Sequence, residues 1–380
     1  MRRREALIQT FDAIIVGGGV NGSSVAFELS KRGKKVLLLE KDRIASKASS
    51  AAAGMLAAQA ELDDDGPLFQ LAKKSRGMFP RVADEIKELT SIDIELINAG
   101  MYKIALTEQD EDQFKKVIKV HQAAGEQAEW LSGEKVRRKE PVLSDEILGA
   151  MFVPNDGQVS APQLTKGYVK AAVALGTELK EYIDVQSFIV RNDKVAGVVT
   201  NEGEFYSDSV IVAGGAWSGR LLQETGLTLS TYPVKGECFS VLTKRPLLTG
   251  TIFSHGCYLV PKKGGRLIVG ATVKPHTFNQ TVTVDGISTL MCKAQKLVPE
   301  ISGAEWEKAW AGIRPQTGDG LPYLGEHPAY QGLFIATGHF RNGILLSAIT
   351  GEVVSDLVER KQPAVDVTPF HINRTTEVLV

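Results

Sequence analysis

Apolar and polar positions alternate along this chain in three recurring ways. Residues Ala13 to Val16 form a short run with no polar member, and Val36 to Leu39 form another. Runs of this kind are expected of strands buried on both faces. Between them Gly22, Ala26 and Leu29 fall at i, i+4 and i+7, one side of a helix that the pattern ends near Gly33. The start of the chain thus predicts strand, helix, strand. The segment "FYSDSVIVAGGAWSGRLL" (205–222) predicts a buried strand over Val210 to Ala213, two glycines and a helix start. Near the other end, "GLFIATGHFRNGILLSAITGEVVSDLVERK" (332–361) predicts a strand, a glycine-bearing loop and a long helix. Residues 98–107 and 231–274 instead alternate in places ("CFSVLT", "RLIVGATV"), which predicts antiparallel strands exposed on one face. "DEDQFKKVIKVHQAAGEQ" (110–127) predicts an amphipathic surface helix.

The first unit carries chemistry as well as structure. Gly17, Gly19 and Gly22 fit G-x-G-x-x-G between a strand and a helix. In that setting the first glycine permits the turn, the second lets the backbone approach a pyrophosphate, and the third lets helix and strand pack closely. The helix start, from Val20, offers N–H groups and a partial positive charge to the anion. Glu40 ends the second strand, where a carboxylate accepts hydrogen bonds from ribose hydroxyls. An acid there disfavours a 2′-phosphate and so NADP. The stretch predicts a dinucleotide site and leaves FAD and NAD both open.

Composition narrows the class. The chain has 380 residues, enough for two domains, with 23% charged and 43% hydrophobic residues, as in an ordinary globular enzyme. A net charge of −1 supplies no field for nucleic acid or anionic membrane. No apolar run has the length of a bilayer span. "MRRREALIQTFD" lacks an apolar core and cleavage site, so a frayed, solvated extension is expected in place of a secretory signal. Cys238, Cys257 and Cys292 show no C-x-x-C spacing, which points away from a disulfide framework and a zinc site and toward a reducing cytoplasm. No metal site is expected from the histidines. The acidic run "ELDDDG" (61–66) reads as a solvated loop.

Three strand–glycine–helix units spread over the whole length predict one nucleotide domain built from separate segments, 1–90, 155–228 and 317–380. Segments 91–154 and 229–316 would form the second, substrate-binding domain. A cofactor domain that returns at the far end of the chain suits a flavin, a long cofactor gripped at both ends, better than a nicotinamide. The fold class expected is α/β (α+β overall): a discontinuous Rossmann-like domain plus a domain with a large, mostly antiparallel sheet.

"IIVGGGVNGSSVAFEL", "SSAAAGML" (49–56), "VKGEC" (234–238), "RPQTGDGLPYLG" (314–325) and "TGHFRNGILLSAITGE" (337–352) resemble the D-amino-acid oxidase and sarcosine oxidase superfamily of FAD enzymes. Within it the resemblance is greatest to the bacterial glycine oxidases of thiamine biosynthesis. It implies non-covalent FAD, held by Gly17, Gly19, Val20, Gly22, Glu40, Ser49, Ser50, Gly54, Met55, Val185 and Gly214. A final loop of Gly338, His339, Arg341, Asn342, Gly343, Ile344 and Leu345 would add to them. The helix starting near Asn342 and Gly343 would aim its amino end at the reduced flavin. The resemblance also implies a substrate carboxylate held by Arg314 and Tyr258, with Arg341 and Met55 beside it. Arginine supplies the bidentate geometry that a buried carboxylate needs, and Arg314 has apolar neighbours in Trp310, Ala311, Ile313 and Pro315.

The activity so implied is oxidative deamination of glycine and small N-substituted or D-amino acids. It proceeds by hydride transfer to flavin N5 without an acid or base residue, with O2 as acceptor. The products would be hydrogen peroxide and an imine that yields glyoxylate and ammonia, or that feeds thiazole synthesis. A cytoplasmic homotetramer is implied too. Gly256 and Val273 depart from the family pattern, standing where a histidine and a methionine are found, and predict a roomier substrate pocket. The rival readings are a sarcosine oxidase, a D-amino acid dehydrogenase with another electron acceptor, an NAD enzyme and a non-catalytic nucleotide sensor.

Overall fold

The computed structural model describes residues 9–374; of the frayed extension expected over 1–12, residues 1–8 lie outside the described residues, while Thr10 bridges Tyr206 and Phe11 is buried, so its end is not frayed. The first apolar run is the strand Ala13–Val16, with all four residues buried. The helix Val20–Lys31 follows and stops at Gly33, whose φ of +76° only glycine adopts readily. The chain then re-enters the sheet as Val36–Glu40. These strands pair in parallel, and Ala13–Val16 pairs in parallel on its other side with Val210–Val212. Leu333–Thr337 joins Val210–Val212 in parallel, so the three glycine-bearing units lie in one sheet. Glu178–Glu181 and the antiparallel Tyr323–Glu326 complete its six strands. The long helix Pro67–Thr90, with Ala161–Ala174 and Ser347–Val358, covers the sheet, and Phe27, Phe79, Tyr168 and Phe334 fill the core between.

A second, nine-stranded sheet is built from residues between 101 and 317. Its longest members, Thr231–Leu242 and Glu305–Thr317, pair antiparallel along their full lengths. Arg266–Gly270, Cys257–Pro261 and Thr251–Ser254 continue it, then Met101–Ala105, Gly149–Val153 and Glu129–Ser132. Two expectations need correction here. Met101–Ala105 pairs with Thr251–Ser254 in parallel. The strand around "CFSVLT" has no exposed face: Val234 to Val241 are all buried. Helix Val284–Leu297 packs over this part of the sheet and shares a core with Phe239 and Val241, so period-two polarity there does not report exposure. The predicted surface helix is Glu108–Ala123, opened by a capping box of Thr107 and Asp110. Among the described residues, no helix is long and apolar enough to cross a membrane.

Candidate functional site

The parallel sheet ends its strands Ala13–Val16, Val36–Glu40, Val210–Val212 and Leu333–Thr337 beside the two long strands of the second sheet. A cavity of about 620 Å³ opens there, lined by both sheets. Ligands in open α/β sheets bind at this carboxyl edge, and the volume is that of a cofactor-sized pocket.

At one end stand the glycines. Gly17 has φ +112°, and a Cβ there would lie 2.6 Å from Ala213 O, so the turn admits no side chain. Gly22 does not line the cavity; its Cβ would lie 2.0 Å from Gly17 O, which makes it the close-packing glycine. A Cβ on Gly19 would meet only Ser49 Oγ, at 3.3 Å, leaving the cavity side open to a phosphate. Ser49 Oγ accepts from Val20 N at 2.9 Å and so caps a helix whose own N-cap residue has no side chain. Glu40 accepts from Gly18 N at 2.7 Å and Asp42 N at 2.9 Å, which fixes its carboxylate at the cavity wall with lone pairs remaining.

The small-residue turn 48–54 passes beneath the second sheet. Trp310 Nε1 donates to Ala51 O at 3.0 Å, and a Cβ on Gly312 would lie 2.5 Å from Ala51 Cβ. Gly54, at φ +85°, lies so close to Val159 O that a Cβ would fall 1.9 Å away. Val185, Gly214, Met55, Gly343 and Ile344 all line the same cavity. His339 lines it too; its Nε2 is 3.1 Å from Thr350 Oγ1, and complete burial lowers its pKa to about 3, so the ring is neutral.

At the other end stand Arg314 and Tyr258. Arg314 reaches over Gly236, where a Cβ would meet the guanidinium 2.2 Å away, and Gly236 pairs with Gly312 across the two long strands. The guanidinium donates to Thr272 O at 3.3 Å and has no carboxylate partner among the described residues. Tyr258 Oη lies 3.4 Å from Cys238 Sγ, and burial raises the phenol well above its usual pKa, so it stays protonated. Arg341 is paired, Nε to Glu61 Oε2 at 2.7 Å, and its guanidinium lies over the Phe253 ring.

Several expected site residues lie elsewhere. Gly256 sits in an exposed turn at φ +70°, facing Lys293, and Val273 is 54% exposed on the surface; neither lines the cavity, so neither widens it. Ser50, Gly338, Asn342 and Leu345 also stand behind the walls. Ser50 Oγ bonds to Ala45 O, a Gly338 Cβ would point at Thr317, and Leu345 is core. The last helix begins at Ser347, after a 3₁₀ turn Phe340–Asn342, and not near Asn342 itself. Glu61, read from the sequence as part of a solvated loop, closes the short helix Ala58–Glu61 and lines the cavity. Asn21, Trp217 and Cys238 also line the cavity; each lies within a quoted motif, and none was read from the sequence as a site residue.

Two buried polar atoms in lining residues, Asn21 Oδ1 and Ser218 Oγ, lack any hydrogen-bond partner among the described residues. Buried polar atoms are rarely left so, and together with the open cradle at Gly19 they fit a bound dinucleotide.

Comparison with known proteins agrees. A family model described as FAD dependent oxidoreductase matches residues 12–357. Glycine oxidase of Geobacillus kaustophilus is 49% identical over 367 residues, 96% of this chain and 97% of that protein. The bifunctional protein ThiO/ThiG of Synechocystis is 35% identical over 92% of this chain, which spans 52% of that protein. The crystal structure of the Geobacillus kaustophilus glycine oxidase superposes with a TM-score of 0.95 at 47% identity, covering 97% of this chain and all of that one. The chain belongs to the FAD-dependent oxidoreductase family.

Proposed function

We propose that the chain is a glycine oxidase, acting on glycine and small N-substituted or D-amino acids. The observation that carries this reading is Arg314, a guanidinium in the cavity wall without a carboxylate partner among the described residues, beside the phenol of Tyr258. A substrate carboxylate supplies the missing partner, and two parallel N–H···O bonds fix its orientation. Tyr258, held protonated by burial, donates to the same carboxylate. FAD, when bound, accepts the two electrons of the substrate Cα–H bond and passes them to dioxygen, giving hydrogen peroxide. The chain's own part is orientation: with the amine neutral on entry no residue has to take a proton, and holding the reactants together supplies most of the acceleration. Met55 and Cys238 add little-polar side chains to the same cavity wall, where Arg341 is paired with Glu61.

The imine so formed hydrolyses to glyoxylate and ammonia or passes to a thiazole-forming step, a role supported by the ThiO/ThiG relatives. Segments 1–90, 155–228 and 317–380 hold FAD in this reading, and 91–154 and 229–316 hold the substrate. A homotetramer in the cytoplasm is the expected state, on the same family likeness.

Replacing Arg314 with Ala leaves the carboxylate unpaired and is expected to raise KM for glycine by about 100-fold or more, with FAD content unchanged. Steady-state kinetics check this, and a variant with a KM near that of the parent enzyme removes Arg314 from the site.

A further inference from the structure

The strand Thr231–Leu242 has two differently used faces. Gly236 and Cys238 line the FAD cavity. Lys235 and Glu237 point the other way, and Glu237 has no exposed surface. A carboxylate out of water needs partners, and this one has several. Lys235 Nζ lies 2.8 Å from Oε1. Thr283 N and Oγ1 donate to Oε1 at 2.9 and 3.0 Å, and Thr272 Oγ1 donates to Oε2 at 3.3 Å. Burial pushes the carboxyl up, and the bonds from Lys235 and Thr283 outweigh it, holding the carboxyl below the usual range. Helix Val284–Leu297 leaves room for it through Gly286, where a Cβ would fall 1.7 Å from Oε2.

One side chain therefore ties both ends of the segment 272–283. At the near end the tie is redundant: Glu237 N donates to Thr272 Oγ1 at 2.9 Å, and Thr272 N donates to Glu237 O at 3.2 Å. The carbonyl of that same Thr272 accepts from Arg314 Nη1. A continuous path runs from a buried carboxylate behind the sheet, through one hydroxyl and one peptide, to the guanidinium in the cavity.

We propose that the hydroxyl of Thr272, tied to Glu237, positions Arg314 through the Thr272 carbonyl. The inference rests on the reading of Arg314 as the carboxylate anchor. An arginine side chain carries considerable rotamer freedom, and a fixed acceptor on one nitrogen leaves the rest of the fork aimed at the substrate. Loosening Thr272 weakens carboxylate binding equally in the ground and transition states, so KM rises and kcat stays.

Thr272→Val removes the hydroxyl without changing shape or charge. In FAD-loaded enzyme it is expected to raise KM for glycine about 10-fold while kcat stays within about twofold, because both bonds of the hydroxyl to Glu237 are lost and the carbonyl that aims Arg314 is held less firmly. The dissociation constant of acetate, read from the perturbation of the flavin spectrum, should rise by the same factor, with FAD content unchanged. Thr272→Ser, which keeps the hydroxyl, should restore both, and Thr272→Val should add nothing in an Arg314→Ala background. Unchanged acetate binding in Thr272→Val overturns the proposal, as does a full further loss when Arg314 is already absent. Parent enzyme that neither binds acetate nor oxidises glycine refutes the anchor itself, and this inference with it.

Discussion

Arg314 is aimed by what surrounds it. The family resemblance picks it out in the sequence, and apolar neighbours on its own strand set it apart from a surface ion pair. The neighbours that aim it, Gly236, Thr272 and Tyr258, come from other strands and loops and could be joined to it only in three dimensions. Glu61 shows the reverse: four acids in a run look solvated, yet the first turns inward to pair with Arg341 while Asp63 pairs with Lys103 on a neighbouring strand. His339 gives a prediction at this scale. Burial holds its folded-state pKa near 3, below the ordinary value of 6.5. The unfolded chain therefore binds the extra proton between those limits, and stability falls as pH drops below about 6.5 and is unaffected by this group above it. From pH 7 to pH 5 the loss is about 2 kcal/mol. Denaturant titrations at the two pH values, at one FAD concentration, should show a slope that His339→Gln flattens; equal acid sensitivity in parent and variant would contradict the assignment.

Elements were legible where their pattern is local. Ala13–Val16, the helix ending before Gly33, and Val36–Glu40 follow from apolar runs and glycine punctuation alone. The start of the last helix was not, because Phe340–Asn342 form a 3₁₀ turn whose residues are as compatible with a helix as those after it. Burial on both faces of Thr231–Leu242 was also hidden, since a serine, a lysine and a glutamate satisfy their polarity inside the protein. Gly22 tests the helix–strand packing. Gly22→Ala puts a methyl group against the Gly17 carbonyl, which is backbone and cannot step aside. Such overpacking costs about 1–3 kcal/mol, and with the helix start as the proposed cradle of the cofactor phosphate, FAD affinity should fall by about 10-fold or more. FAD titration by fluorescence quenching reads this; affinity equal to that of the parent chain would show that the helix does not need so close an approach.

For the whole molecule, two sheets assembled from interleaved segments meet along one cavity, with the proposed nucleotide cradle at one end and, at the other, a guanidinium with no carboxylate partner among the described residues. The recurrence of strand–glycine–helix units made the first sheet readable. The second depends on pairings between distant segments, such as Met101–Ala105 with Thr251–Ser254, that no local pattern encodes. The cavity unites the two, and flavin and a small amino acid are proposed to meet there. The most direct measurement is the visible spectrum of the FAD-loaded protein mixed with glycine in the absence of oxygen. Loss of the oxidised flavin bands, followed by their return with peroxide formation when air is admitted, is the predicted result. A spectrum that glycine and its N-methyl derivative leave unchanged would contradict the account.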